Sequence, residues 1–213
     1  MNDTLSNAIS IRKVDINYYV DLILKDEKIQ KDIVDLTLNH PHIMTYYHGY
    51  YILDQATKLK PEIFYKYWDE FSSLLKHENT YHRQIGIVLL SNLSNIDIDD
   101  KFSECINDYL NCLYDNKILI GKYCVMYLKN IFKSKPKHRH QIIDELLNHK
   151  RKTPYTEKQE ALLEFYVLEL IEENYQELKN KEEINKYIIE KQESISPKAK
   201  KKCKELIKKY KLS

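Results

Sequence analysis

Apolar residues recur along nearly the whole chain in steps of three and four, the spacing of one buried helix face. Phe64, Tyr67, Trp68, Phe71, Leu74 and Leu75 keep it, as do Ile85, Val88, Leu89, Leu93 and Ile96. Phe102, Cys105, Ile106, Tyr109 and Leu113 keep it again. No segment alternates apolar and polar residues for more than a few positions, so strands are not expected. The pattern predicts helices over 17–25, 26–38, 42–59, 62–76, 80–96, 100–114, 117–134, 138–148, 156–174, 179–192 and 197–211. Their borders have physical causes. His40 precedes Pro41, and the residue before a proline is pushed out of the α region. Pro61 and Pro197 occupy first-turn positions, where the missing N–H is no loss, and Ser196 can cap the last helix. The linkers are a few residues each, as antiparallel neighbours require. Residues 1–15 are polar, carry no such pattern and are expected to be loosely ordered. Residues 16–213 are expected to form one domain.

A weak internal repeat lies over this pattern. Tyr46-Tyr47-His48-Gly49-Tyr50-Tyr51-Ile52-Leu53 aligns with Arg83-Gln84-Ile85-Gly86-Ile87-Val88-Leu89-Leu90. Further copies begin at Gly121 and Glu160, at offsets of 37, 38 and 39 residues. A period near 40 residues in a helical chain predicts stacked helix pairs. The repeats fall near 26–59, 61–96, 100–134, 137–174 and 179–211, the last a basic capping pair. The expected fold class is all-α, a right-handed α-solenoid of about five antiparallel helix pairs.

The repeated helices resemble the second helices of HEAT repeats. That pattern has an Asp near the turn, then Val-Arg, then a small residue and a Leu-rich run. Asp115 to Cys124 keeps the Asp, the aliphatic and the small residue, with Gly121 where Arg is usual. The second copy keeps Arg83 and Gly86, with His77 in place of Asp; the first keeps Gly49, with Tyr46 in place of Arg. The fourth, with Glu160 and Leu163, is the most degenerate. The resemblance covers roughly residues 26–195 and implies a HEAT-like stack in which small residues allow close helix approach. The Arg–Asp ladder that commonly joins HEAT neighbours is mostly missing, so apolar contacts are expected to hold the stack.

Thr80-Tyr81-His82-Arg83-Gln84-Ile85-Gly86-Ile87 is also similar to a segment of the bacterial alkylpurine DNA glycosylases, which share this architecture. Their aromatic-x-Arg-Arg becomes Tyr81 with one Arg. In that family the catalytic Asp follows a Trp at helical spacing. Here Trp68, the only Trp, is followed by Asp69, with Ser72 four positions on, so a Trp-lined base cleft cannot be built. No catalytic residue is assigned.

Composition adjusts this picture in three places. The net charge of +2 hides an asymmetry: residues 196–213 hold eight Lys and one Glu, or +7, leaving 2 − 7 = −5 for the rest. The 18 Tyr are numerous enough to replace Leu and Phe at half-buried helix positions. The four Cys form no CxxC pair and fall at apolar helix positions, where free Cys behaves as a small hydrophobe. Together with the lack of a leader-like or transmembrane apolar run, they make a reducing cytoplasm the expected compartment. No phosphate-loop, nucleophile-elbow or zinc-protease motif occurs, and no cofactor or metal is implied. His40, His42 and His48 read as helix-end histidines, and His138 and His140 as parts of a basic loop. Asp97, Asp99 and Asp100 precede a helix, where carboxylates complement the helix N-terminus.

Carrying the register across the copies assigns a concave face: Tyr47, Tyr50 and Asp54; Gln84, Ile87 and Ser91; Lys122, Val125 and Lys129; Ala161, Glu164 and Leu168. Tyrosine anchors with a polar rim fit a protein or peptide groove. The leading reading is therefore a non-enzymatic interaction scaffold whose contacts are Tyr47, Tyr50, Asp54, Gln84, Ser91, Lys122 and Lys129. The alternative is nucleic-acid binding through Arg83, Lys133, Arg139, Arg151, Lys201 and Lys208. The last helix serves both readings: its stripe Ala199, Cys203, Leu206, Ile207 and Tyr210 can seal the stack, while its lysines can attract phosphate.

Overall fold

The computed structural model describes residues 3–149 and 153–212. Among them all regular structure is helical: twelve α-helices and short 3-10 turns. The chain divides into two compact units, Met1–Ser103 and Glu104–Ser213.

The first unit contains α1 (Asp3–Ile9), α2 (Ile16–Ile23), α3 (Glu27–Asn39), α4 (Ile43–Leu59), α5 (Trp68–Ser73) and α6 (Thr80–Leu93). Caps start the helices where the sequence suggests. Asp26 accepts from the Lys28 and Ile29 amides at 2.9 and 3.1 Å, and Asn79 from Tyr81 at 2.9 Å. α4 is the hub, packing against α1, α2, α3 and α6. Its buried side chains, among them Tyr46, Ile52, Leu53 and Ala56, point to several sides, so it can bind all four neighbours.

Two expectations change here. The N-terminus is not wholly loose: α1 docks on α4, Ile9 is fully buried, and the Ile9 carbonyl accepts from His48 Nδ1 at 2.7 Å. His40 and Ser6 add a second hydrogen bond at 2.9 Å. Histidines assigned to helix ends therefore fasten a neighbouring helix. The single helix expected over 62–76 is broken into 3-10 turns at Pro61–Ile63, Tyr65–Tyr67 and Leu74–Lys76 around α5. The cause is a crowd of rings. The tighter turns let Phe64, Trp68 and Phe71 all drop into the core while Tyr65 donates to Asp97 at 2.6 Å. Burial, then the Asp97 carboxylate that accepts its proton, raise the Tyr65 hydroxyl well above its usual range. Asp97 also caps the helix that follows, accepting the Lys101 and Phe102 amides, both at 2.9 Å.

The second unit contains most of α7 (Phe102–Asn111), then α8 (Ile118–Ser134), α9 (Arg139–Asn148), α10 (Glu157–Asn174), α11 (Lys181–Glu190) and α12 (Pro197–Tyr210). α10 lies against α8 and α12; α8 also meets α9, and α11 meets α12. Thr156 and Gln159 form a capping box at the start of α10.

Helices approach closely at two glycines of α6 and α8. A Cβ on Gly86 would stand 3.0 Å from the Phe71 carbonyl oxygen, and one on Gly121 would stand 2.9 Å from the Leu113 carbonyl. Backbone cannot step aside as a side chain can. Gly86→Ala gains about 1 kcal/mol of helix propensity but overpacks the core by about 1–3 kcal/mol. The expected result is a lower urea midpoint; an unchanged or higher midpoint would contradict the contact.

Candidate interaction surfaces

In the first unit, the outward face of α4 is a stripe at helical spacing: Ile43, Tyr47, Tyr51, Asp54 and Lys58. Ile43 and Tyr51 are 45% and 37% exposed and so lie outside the core. The Tyr47 and Tyr51 rings meet edge to face at 4.7 Å, and their hydroxyls share a hydrogen bond at 2.7 Å. Tyr50 is buried and tilts against Tyr51 at 5.1 Å. Exposed Tyr81, in the first turn of α6, rests near Tyr46. The stripe ends in a polar patch. Asp54 pairs with Lys58 at 2.7 Å and accepts from Asn92 of α6 at 2.9 Å.

Tyr47 and Asp54 are half-buried and share this face with the more exposed Tyr51 and Ile43. The latter pair follows from i, i+4, i+8 spacing once Tyr47 is taken as the centre of the face. Tyr50, Gln84 and Ser91 do not join it. All three are buried: Tyr50 because α4 is packed by four helices, Gln84 and Ser91 because nearly every side of α6 is covered, where only Thr80, Tyr81, Arg83 and Asn92 escape full burial.

In the second unit, α8, α10 and α12 carry alternating charge. Lys129 reaches Glu169 at 3.3 Å and Glu173 at 2.9 Å, and Lys133 reaches Glu173 at 3.5 Å. Glu172 accepts from Lys202 at 2.9 Å and from Lys209 at 3.0 Å. At one end of this ladder Lys122 lies over the Tyr166 ring at 5.4 Å and Lys198 over Phe165 at 5.9 Å, beside exposed Leu162. The separations between Lys129 and Glu169 and between Lys133 and Glu173 are 40 residues. Ala161, Glu164 and Leu168, expected on an open face, are all buried. Val125 and Ile87 are buried too.

Glu164 shows what a buried charge requires. It accepts from Ser194 Oγ and pairs with Lys191 at 3.2 Å, and the Lys191 ammonium stands 4.4 Å from the centre of the Tyr187 ring. Burial first, then the Glu164 carboxylate, push the Tyr187 hydroxyl up. These groups tie α10 to the end of α11 and the turn before α12.

The basic residues offered for nucleic acid divide into used and unused. Arg83 donates to the His77 and Glu78 carbonyls at 2.7 and 2.8 Å. Arg139 donates to the Phe132 carbonyl at 2.8 Å and pairs with Glu177. Lys133 belongs to the ladder. Lys201 and Lys208 are exposed, and Arg151 lies outside the described residues. Asp69 is a surface carboxylate, its side chain 74% exposed and paired with Lys101 at 2.9 Å, so it does not face a cleft. Among the described residues no group of three His, Cys, Asp or Glu side chains is placed to hold a metal ion. No described helix is long and apolar enough to cross a membrane.

Two outcomes follow. Lys191→Met strands a buried carboxylate and is expected to cost about 3 kcal/mol, with recovery in the Lys191→Met/Glu164→Gln pair. A double-mutant cycle in urea reads this; additive losses would contradict the pairing. The hydrogen bonds from Lys202, then Lys209, hold the Glu172 carboxyl below its ordinary range. A depressed folded-state value means stability present above the usual carboxylate range and lost as pH falls through the folded value. Glu172→Gln should flatten the acid limb of a melting-temperature profile below about pH 4.5; an unchanged limb would count against the bridge.

A scan against protein-family models, a search of curated proteins and a search of solved structures each returned no match.

Proposed function

We propose that the chain is a HEAT-like, right-handed α-solenoid that serves as a non-enzymatic scaffold, binding a protein or peptide through the exposed faces of its repeated helices. The observation that carries this reading is the α4 stripe. Tyr47 and Tyr51 brace each other edge to face, so little side-chain freedom remains to be lost on binding. Tyrosine offers a large contact area with a polar tip, the chemistry favoured at binding hot spots. Ile43 and Tyr81 extend the apolar area, and the Asp54–Lys58 pair supplies a polar rim. The inter-helix hydrogen bond from Asn92 to Asp54 and the Lys–Glu ladder support a stacked array, since they join helices about one repeat apart. Four free, buried cysteines fit a reducing cytoplasm.

Peptides selected from a phage-displayed library on the wild-type protein test this directly. Tyr47→Ala/Tyr51→Ala/Tyr81→Ala is expected to weaken the selected peptides by roughly tenfold or more while the melting temperature stays within a few degrees. Undiminished binding by that variant would remove the α4 face as the site.

A further inference from the structure

The last helix carries a face that no other described part of the second unit uses. α12 turns Ala199, Cys203 and Leu206 inward, all fully buried. On a helical wheel Lys200, Lys201, Lys204 and Lys208 fall within a single arc of about 100°, away from that stripe. Lys211 follows the last turn in a left-handed conformation, at φ 53°. Lys202 and Lys209 lie outside the arc and are engaged with Glu172. Among the described residues, none of the five lysines of the face has an acidic partner.

We propose that this face binds the phosphate backbone of double-stranded nucleic acid without reading its sequence. The inference is independent of the peptide-binding reading, which rests on α4. Its cations are all lysines, compact point charges without the planar fork that reads guanine, and no exposed ring stands among them to stack on a base. From Lys200 to Lys208 the helix rises about 12 Å. A duplex presents a phosphate charge about every 1.7 Å along its axis, so a surface of that length meets several phosphates at any docking angle.

The rest of the molecule confines the contact. Outside residues 196–213 the chain carries 2 − 7 = −5, which repels a polyanion. Arg83, Lys129, Lys133 and Arg139 are occupied by carbonyls or glutamates. An anionic membrane fits less well. The apolar stripe of α12 is turned inward, and no large apolar side chain of α12 is exposed to enter a headgroup layer.

The test is fluorescence anisotropy of the full chain with a labelled duplex of about 20 base pairs, from about 25 to 200 mM salt. Four neutralised phosphates predict a slope of log affinity against log salt near about −4. Lys201→Gln/Lys204→Gln/Lys208→Gln should flatten that slope by about 3 and weaken binding at low salt by roughly tenfold or more. Lys25→Gln/Lys28→Gln/Lys31→Gln removes the same charge from the first unit and should leave the slope unchanged. Circular dichroism confirms that both variants fold. No binding at low salt, an unaltered slope in the α12 variant, or an equal loss in the Lys25/Lys28/Lys31 variant overturns the proposal. Sedimentation with phosphatidylserine vesicles in the absence of duplex binding overturns it in favour of a lipid surface.

Discussion

A helix buried on most of its circumference has nowhere to leave a polar side chain, and that constraint organises both units. α6 and α10 are the extreme cases. Along α10, Ala161, Leu163, Val167, Leu168, Leu170 and Ile171 are inside, and so are Glu160, Glu164 and Asn174. Two of these buried polar groups show the partners that enclosure calls for. Asn174 donates to the Leu170 carbonyl at 2.8 Å, and Glu164 takes Lys191 and Ser194. A buried carboxylate without such partners would be costly, so the segment 191–194 is held where it is by α10 rather than by its own propensity.

Polar pairs also join neighbouring helices. In the first unit the link is Asn92 to Asp54; in the second it is Lys129 to Glu169 and Glu173, and Glu172 to Lys202 and Lys209. These pairs are partly exposed, and each contributes at most about 1 kcal/mol. Their effect is specificity of register more than stability. Apolar burial and glycine contacts supply the stability. Because the bridges consume charge, the lysines of α8 are not a free basic surface, whereas those on the outer arc of α12 are.

Helix positions were legible in the sequence because apolar spacing, proline and capping residues agree locally. α4, α6, α8, α10 and α12 begin and end within three residues of expectation. What local pattern misses is tertiary. The ring-rich segment 62–76 keeps helical spacing yet breaks, since Phe64, Trp68 and Tyr65 each answer to a different neighbour. Residues 3–9 hold only the short apolar set Leu5, Ala8 and Ile9, but Ile9 and two histidines are enough to dock α1. The candidate surface was half legible. Tyr47, Asp54, Lys122 and Lys129 retain some exposure, but Tyr50, Gln84 and Ser91 are buried, because α4 and α6 are covered on several sides and spacing alone does not show which sides those are. Arg83 and Arg139 looked available because nothing in a sequence shows which carbonyl an arginine will meet.

Native-state hydrogen exchange measured by mass spectrometry tests the central claim most directly, because it reads how firmly each helix is held. If enclosure of the most deeply buried helices organises each unit, amides of α4 and α6 exchange slowest in the first unit, and those of α8 and α10 slowest in the second, with α1, α5, α9 and α11 opening earlier. Protection in α5 and α9 equal to or above that of α6 and α10 would contradict the account.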